Sequence, residues 1–136
     1  MTPEKLIELA KEAMHKAYAP YSGFKVGAAL LCGDGTVYQG CNIENAAYGP
    51  TNCAERTAFF KAVYDGHRDF VSIAVCGGKD GIITGGFPPC GVCRQVMREF
   101  CEDDFRILMI GPGDTFEAVT LKDLLPHSFR ASEHMK

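Results

Sequence analysis

Three cysteines constrain the fold of this 136-residue chain more than any other feature of its sequence. Cys90 and Cys93 form a CxxC pair where a helix is predicted to begin, and this spacing brings two thiolates to one metal from a single turn. Cys53 stands at the predicted start of an earlier helix. The positive dipole potential at both helix starts favours thiolate over thiol. We therefore expect two helix N-termini to meet across a sheet and hold one metal ion.

The number of ligands indicates the kind of metal site. Three thiolates and one open position are typical of a catalytic zinc, whereas structural zinc sites are usually filled by four protein ligands. A thioredoxin-like redox pair is the alternative, but the CxxC motif does not follow a first strand as it does in that fold. None of the four histidines has motif spacing. The other four cysteines are interpreted as small buried hydrophobic residues: Cys32, Cys41, Cys76 and Cys101. Among these, Cys41 is the best candidate for another role, because it adjoins a polar loop.

Composition and charge limit the class of protein. Hydrophobic residues make up 46% of the chain and charged residues 23%, which predicts one globular domain over residues 1–136. The net charge is −3 and the basic residues are scattered, so nucleic acid is not an expected partner. The N-terminus mixes charged and apolar residues, which predicts neither a signal peptide nor a membrane span. A cytoplasmic location is expected, and in a reducing compartment seven cysteines favour metal ligation or buried thiols over disulfides.

Apolar runs and turn residues predict strands that alternate with helices, hence a mixed sheet with helices on its faces. Helices are expected from Pro3 towards Pro20, from Cys53 to Gly66 and from about Cys90, with a short one over residues 121–125. The stretch 77–86 is predicted to be a flexible glycine-rich loop. The five predicted strands cover residues 26–32, 37–41, 72–76, 106–110 and 116–120.

Two charged residues follow Cys53 directly. Glu55 could be a simple helix-start acid, but a carboxylate beside a metal site is also suited to proton transfer. Arg56 would reduce the negative charge that three thiolates place around the metal. We therefore expect Glu55 to be catalytic and Arg56 to support the metal ligands.

The combination of CAE at residues 53–55 with PCGVC at residues 89–93 resembles the signature of zinc nucleoside deaminases. Further similarity lies in YAPYSGFKVGAAL at 18–30, GCNIENAAYGPTNCAERTA at 40–58 and LLPHSF at 124–129. Over most of its length the chain looks like the short, homotetrameric cytidine deaminases. This resemblance implies a three-layer α/β/α fold with a mixed five-stranded sheet, and one zinc per chain held by Cys53, Cys90 and Cys93.

The resemblance also implies substrate contacts. Asn42 and Glu44 match the residues that bind the ribose, although asparagine is also frequent in turns. Phe24 matches an aromatic residue that packs on the pyrimidine, and Phe129 matches one contributed by a neighbouring subunit, at the interface where the site is expected. Either could instead fill the core or an interface. Ala54 and Tyr48 complete the expected substrate-binding set.

The implied reaction is the hydrolytic deamination of cytidine and 2′-deoxycytidine to uridine and 2′-deoxyuridine, a step of pyrimidine salvage. Glu55 would accept a proton from the attacking water, protonate ring nitrogen 3 and deliver a proton to the departing ammonia. Blasticidin S stays open as another substrate, because its deaminases are equally short and act on a cytosine ring. A nucleotide or polynucleotide substrate would call for clustered Arg and Lys, which the sequence lacks. A non-catalytic zinc module is the alternative from a different class, and it would have no need of Glu55.

Overall fold

The computed structural model describes residues 1–135 as one mixed sheet with helices on both faces. The helices are α1 Pro3–Met14, α2 Ala54–Tyr64, α3 Gly91–Phe100, α4 Leu121–Leu124 and α5 Ala131–His134. The strands are β1 Phe24–Cys32, β2 Val37–Cys41, β3 Phe70–Lys79, β4 Ile82–Ile83, β5 Arg106–Ile110 and β6 Phe116–Thr120. Among residues 1–135, no helix has the length and apolar character needed to cross a bilayer.

The strand order is β2-β1-β3-β5-β6, and the short β4 pairs with β3. β1 runs antiparallel to both β2 and β3, β3 and β5 are parallel, and β6 returns antiparallel to β5. The predicted mixed sheet of five strands is confirmed, with β4 as an added sixth strand. The parallel β3–β5 pair requires a crossover, which α3 provides.

Alternate residues of β1 face the two helical layers, as the strand period of two requires. Ala28 and Leu30 lie in the hydrophobic cluster that contains α2 residues such as Phe59. Ala29 lies in the opposite cluster, against Ala10 of α1. β1 is therefore buried on both faces, which explains its almost continuous apolar sequence.

The first helix ends earlier than predicted. α1 stops at Met14 instead of continuing towards Pro20, with His15 as its C-cap residue. Tyr18 then forms a β-bridge with Ile43, and its backbone N–H donates to the Asn42 carbonyl at 3.0 Å. Pairing with a segment distant in sequence therefore overrides the local helical pattern after Met14.

Part of the predicted glycine-rich loop is a strand. Gly77 and Gly78 belong to β3, where a side chain would not fit. A Cβ on Gly78 would overlap the Ile82 carbonyl of β4, and one on Gly77 would lie 2.9 Å from the Phe87 ring. These two glycines therefore allow β4 and Phe87 to approach β3 closely.

Another glycine lets α2 lie directly on β2. A Cβ on Gly40 would overlap the Ala54 carbonyl oxygen and lie 2.6 Å from the Ala58 nitrogen. Thr57 reinforces this contact, since its hydroxyl donates to the Cys41 carbonyl of β2 at 3.0 Å. The backbone-to-helix contact fixes the position of the first turn of α2, and therefore of Cys53 just before it.

Candidate metal centre and active site

Two helix starts bring the three predicted ligand cysteines together. Cys53 is the N-cap residue of α2, Cys90 is the N-cap residue of α3, and Cys93 lies in the first turn of α3. The Cys53 and Cys90 sulfurs are 3.7 Å apart, and those of Cys90 and Cys93 are 3.5 Å apart. Neither N-cap side chain makes a capping hydrogen bond, so both thiols are available as ligands.

The sulfur separations fit a tetrahedral zinc ion. Four-coordinate zinc at roughly 2.3 Å from each sulfur places the sulfurs about 3.8 Å from one another. All three sulfurs lie within 4.8 Å of one another in the structure, and a disulfide bond joins none of them. Cys93 is buried whereas Cys90 is exposed, so the cluster has one side open for a further ligand.

Arg56 is the cation next to the sulfurs. Its Nη2 atom lies 3.3 Å from the Cys53 sulfur, while its buried Nε makes no hydrogen bond within residues 1–135. Hydrogen bonds from the Cys93 thiol and from Arg56 lower the pKa of Cys53 to about 5. The pKa of Cys93 is raised, because it donates to Cys53 and is itself buried. The cluster therefore already holds thiolate at Cys53, stabilised by the guanidinium.

Glu55 is a buried carboxyl group in the first turn of α2. Only 4% of its surface is exposed, and burial raises its pKa to about 7, with the negative charge of Cys53 as a lesser cause. A carboxyl group with a pKa near neutrality exchanges protons readily at neutral pH. A helix-start role alone would favour the charged carboxylate, whereas the burial of Glu55 favours its protonated form.

A cavity of about 330 Å³ contains another predicted residue, Glu44. Its carboxylate accepts hydrogen bonds from the Tyr21 N–H at 2.9 Å, the Ser22 N–H at 3.1 Å and the Ser22 hydroxyl. These donors, led by the Ser22 hydroxyl, lower the pKa of Glu44, so the group is anionic at neutral pH. Tyr48 and Thr51 also line the cavity, with Tyr48 in the left-handed backbone region at φ 42°.

Asn42 links this polar loop to the sheet. Its side-chain oxygen accepts from the Val26 N–H at 2.8 Å, and its amide nitrogen donates to the Phe24 carbonyl at 2.9 Å. Phe24 is 38% exposed and lies under the Lys79 ammonium, 5.1 Å from the ring centroid. Asn42 therefore fixes the start of β1 and, with it, the place of Phe24.

Two expected substrate contacts lie in different settings. Ala54 is fully buried at the first position of α2, next to the metal cluster. Phe129 does not line the Glu44 cavity of its own chain. Its ring is 55% exposed and stacks on His134 at 5.4 Å, while its carbonyl accepts from Gln95 of α3. The structure thus groups the three cysteines with Glu55 and Arg56, and it places Glu44 and Tyr48 in one cavity. Phe129 lies outside that cavity.

Ser22 and Tyr21 hold Glu44 in place but were not predicted as site residues from the sequence. Both lie inside the quoted stretch 18–30, but neither residue type carries a signal for a partner 22 or 23 positions away. The three hydrogen bonds arise only when this segment folds beside Glu44. The polar segment that contains Tyr21 and Ser22, just before the apolar strand β1, was the one sequence feature that could have indicated their role.

The remaining cysteines lie apart from the metal cluster. Burial raises the pKa of Cys76 to about 11 and that of Cys101 to about 12, as expected of buried thiols. Cys32 is also buried. The Cys41 thiol donates to the Lys16 carbonyl at 3.5 Å and does not belong to the cluster of three sulfurs.

Comparison with known proteins identifies the family. The model of the cytidine and deoxycytidylate deaminase zinc-binding region matches residues 1–109. The chain belongs to this deaminase family. It is 52% identical over 129 residues to a cytidine deaminase of Sporosarcina psychrophila, covering 95% of this chain and 92% of that protein. It is 48% identical to a cytidine deaminase of Halalkalibacterium halodurans, covering 98% of both chains.

Solved structures of this deaminase family share the fold. A crystal structure of cytidine deaminase from Burkholderia pseudomallei superposes with a TM-score of 0.88 at 49% identity, covering 95% of this chain and 100% of that one. A cytidine deaminase structure from Mycobacterium tuberculosis gives a TM-score of 0.80 at 37% identity, covering 95% and 98%. The predicted fold class is thereby confirmed. With the zinc-binding family established, the cluster of Cys53, Cys90 and Cys93 fits one zinc ion per chain.

Replacing one ligand is expected to release the metal. Cys53→Ser removes the sulfur that Arg56 and the α2 N-terminus stabilise, so we expect the ion of this cluster to be lost and the zinc content after dialysis to fall by one per chain relative to wild type. The matched control is Cys41→Ser, which changes a cysteine outside the cluster and should keep the full content. Metal per chain is measured by elemental analysis. Full zinc retention in Cys53→Ser, or loss in Cys41→Ser, would contradict the ligand set.

Proposed function

We propose that this chain is a zinc-dependent hydrolase that deaminates cytidine and 2′-deoxycytidine to uridine and 2′-deoxyuridine, with release of ammonia. The observation that carries the proposal is a buried carboxyl group, that of Glu55, beside a cluster of three cysteine sulfurs. This cluster is open on one side for a further ligand. The proposal includes a single catalytic domain over residues 1–136, a cytoplasmic location and a role in pyrimidine salvage. Family membership and the identities near 50% support it.

Glu55 is proposed to move the protons of the reaction. Zinc, when bound, supplies Lewis-acid activation of water near neutral pH. Glu55 would accept a proton from the attacking water and pass it to ring nitrogen 3 as the water oxygen bonds to carbon 4 of the pyrimidine. It then delivers the second proton to the departing amino group, which leaves as ammonia. Burial of Glu55 excludes bulk water from this exchange and strengthens its electrostatic interactions.

Arg56 is proposed to adjust the charge of the metal ligands. Three thiolates exceed the charge of one zinc dication and weaken it as a Lewis acid. The Arg56 guanidinium, 3.3 Å from the Cys53 sulfur, withdraws part of this negative charge through a charge-assisted hydrogen bond. The positive ends of α2 and α3 act in the same direction.

The Glu44 cavity is proposed to bind the ribose. Its carboxylate is anionic and already fixed by three donors, so it can accept from sugar hydroxyls at little entropic cost. Tyr48 lies at the cavity wall. Asn42 is proposed to join Glu44 in binding the ribose, and Phe24 is proposed to pack against the pyrimidine. Ala54 is proposed to contact the base edge beside the metal.

The chain is further proposed to form a homotetramer with sites at subunit interfaces. Phe129 is largely exposed and lies outside the Glu44 cavity of its own chain. The Phe129 ring is therefore proposed to complete the cavity of a neighbouring chain. Tyr21 and Tyr48, which line the Glu44 cavity, are also exposed. Exposed aromatic residues clustered around a cleft are typical of surfaces that another chain covers.

The function is tested first by removing the proton carrier. Glu55→Ala should retain zinc and fold but lose cytidine deamination by at least about 100-fold, because no other side chain can transfer the protons. Turnover is followed by the ultraviolet change on conversion to uridine, and zinc is measured on the same sample. Glu8→Ala, which changes an exposed glutamate of α1, is the control and should keep full activity.

Two outcomes would contradict this proposal. Near-normal turnover in Glu55→Ala with zinc bound would remove the assigned role of Glu55. Wild-type enzyme is also compared on cytidine, 2′-deoxycytidine and blasticidin S, and a clear preference for the antibiotic would overturn the substrate assignment. No turnover of any of these compounds by the zinc-loaded protein would favour the non-catalytic zinc module.

Ser22 provides a second prediction, for the positioning of Glu44. Ser22→Ala removes one of the three donors, which should raise KM for cytidine about tenfold and change kcat little, since the loss falls on binding. Ser22→Thr keeps the hydroxyl and should restore most of the affinity. An unchanged KM in Ser22→Ala, or an equal loss in both variants, would refute a positioning role.

The proposed tetramer leads to a complementation experiment. Phe129→Ala should lower kcat/KM about tenfold, and Glu55→Ala alone is inactive. Mixed oligomers of the two variants should regain activity above that of either one, because a Phe129→Ala chain supplies Glu55 and its neighbour supplies Phe129. Sedimentation equilibrium measures the number of chains. No regain in mixed oligomers, or a monomeric wild type, would contradict the shared site.

A further inference from the structure

A second group of metal-ligand side chains lies outside the catalytic cluster. Cys32 ends β1, Asp34 lies in the β1–β2 turn, and His67 follows α2. The Cys32 sulfur, an Asp34 carboxylate oxygen and a His67 ring nitrogen all lie within 4.8 Å of one another. Sulfur and oxygen from the end of β1 and its turn thus lie close to a ring nitrogen from the segment after α2.

Local contacts hold two of these ligands in place. The Asp34 Oδ1 accepts from the Thr36 N–H at 3.0 Å, which leaves Oδ2 facing His67 Nδ1 at 3.8 Å. The His67 backbone N–H donates to the Ala62 carbonyl at 3.0 Å, and its ring packs edge-on against Tyr38 at 5.3 Å. The arrangement is therefore fixed by the turn and by the end of α2, while Asp34 stays open to solvent.

Negative charge around this point exceeds positive charge. The Asp69 carboxylate lies against the backbone of Gly33, where a Cβ would collide with it. Within the described residues 1–135, Asp69 forms no ion pair, and Asp34 pairs with His67 alone. The nearby Arg68 guanidinium donates to the carbonyls of Val63 and His67 instead. A bound cation would be attracted by these carboxylates.

We propose that Cys32, Asp34 and His67 form a second binding site for a divalent transition metal of the zinc type. Thiolate, imidazole and carboxylate are the three ligand types that zinc takes in proteins, at roughly 2.0–2.3 Å. Rotation of the exposed Asp34 side chain and a water ligand complete the coordination. The Cys32 thiol loses its proton to solvent as the metal binds.

The second site lies at the other end of α2 from the catalytic cluster. α2 begins next to Cys53 and ends at Tyr64, and its 11 residues span about 16 Å. A metal held by Cys32, Asp34 and His67 therefore does not compete for the catalytic sulfurs. It links the β1–β2 turn to the segment after α2, which stabilises the folded state over the unfolded one.

The test is zinc stoichiometry on the purified zinc enzyme. After equilibrium dialysis against Zn²⁺, we expect two metals per chain in wild type and one in Asp34→Asn and in His67→Gln. Asp80→Asn and His15→Gln change the same residue types at exposed positions outside the cluster and should keep two. Deamination of cytidine should be unchanged in all four variants, which separates this site from the catalytic one.

A spectroscopic measurement identifies the sulfur ligand. Co²⁺ added to the zinc-loaded enzyme should produce a thiolate-to-cobalt charge-transfer band that is absent in Cys32→Ser. Wild type that binds only one metal per chain in excess Zn²⁺ would overturn the proposal. Two metals per chain in both Asp34→Asn and His67→Gln would overturn it as well, because the second ion would then lie elsewhere.

Discussion

The meeting of two helix N-termini at three sulfurs determines the rest of this architecture. β1 runs antiparallel to both β2 and β3, so β2 and β3 run in the same direction and end at the same edge of the sheet. α2 follows β2, and α3 follows β3 after the two-residue strand β4, so both helices begin near that edge. The sheet thus brings Cys53 together with Cys90 and Cys93. Close seating of α2 on Gly40 completes the placement.

The meeting of the two helix starts gathers negative charge at the sulfurs and also supplies part of the positive potential that opposes it. Three sulfur ligands concentrate negative charge, while the helix ends and the Arg56 guanidinium oppose it. The next side chain inward, Glu55, is a carboxyl group whose burial favours its protonated form. Burying an acid beside anionic ligands costs folding free energy, and the neutral, protonated carboxyl group reduces that cost. Under the proposed function, this placement serves proton transfer rather than structural support.

Local sequence predicted those features that depend on short spacings. The CxxC pair and CAE indicated the ligands and the helix starts, and apolar runs indicated five strands. Features that depend on distant partners were not predictable in this way. α1 ends at Met14 because Tyr18 pairs with Ile43, and Ser22 holds Glu44 only after the chain has folded. Gly77 and Gly78 were predicted to lie in a flexible loop. Their close contacts in the folded chain, Phe87 and Ile82, lie further along the sequence and could not be predicted locally.

The helix α2 then emerges as the element on which both metal-ligand groups depend. Its N-terminus carries Cys53 and Glu55, and the segment after its C-terminus carries His67. The buried inner face of this 11-residue helix is held by the same core from end to end. A cation at its C-terminal end would therefore stabilise the folded domain without contacting a catalytic residue.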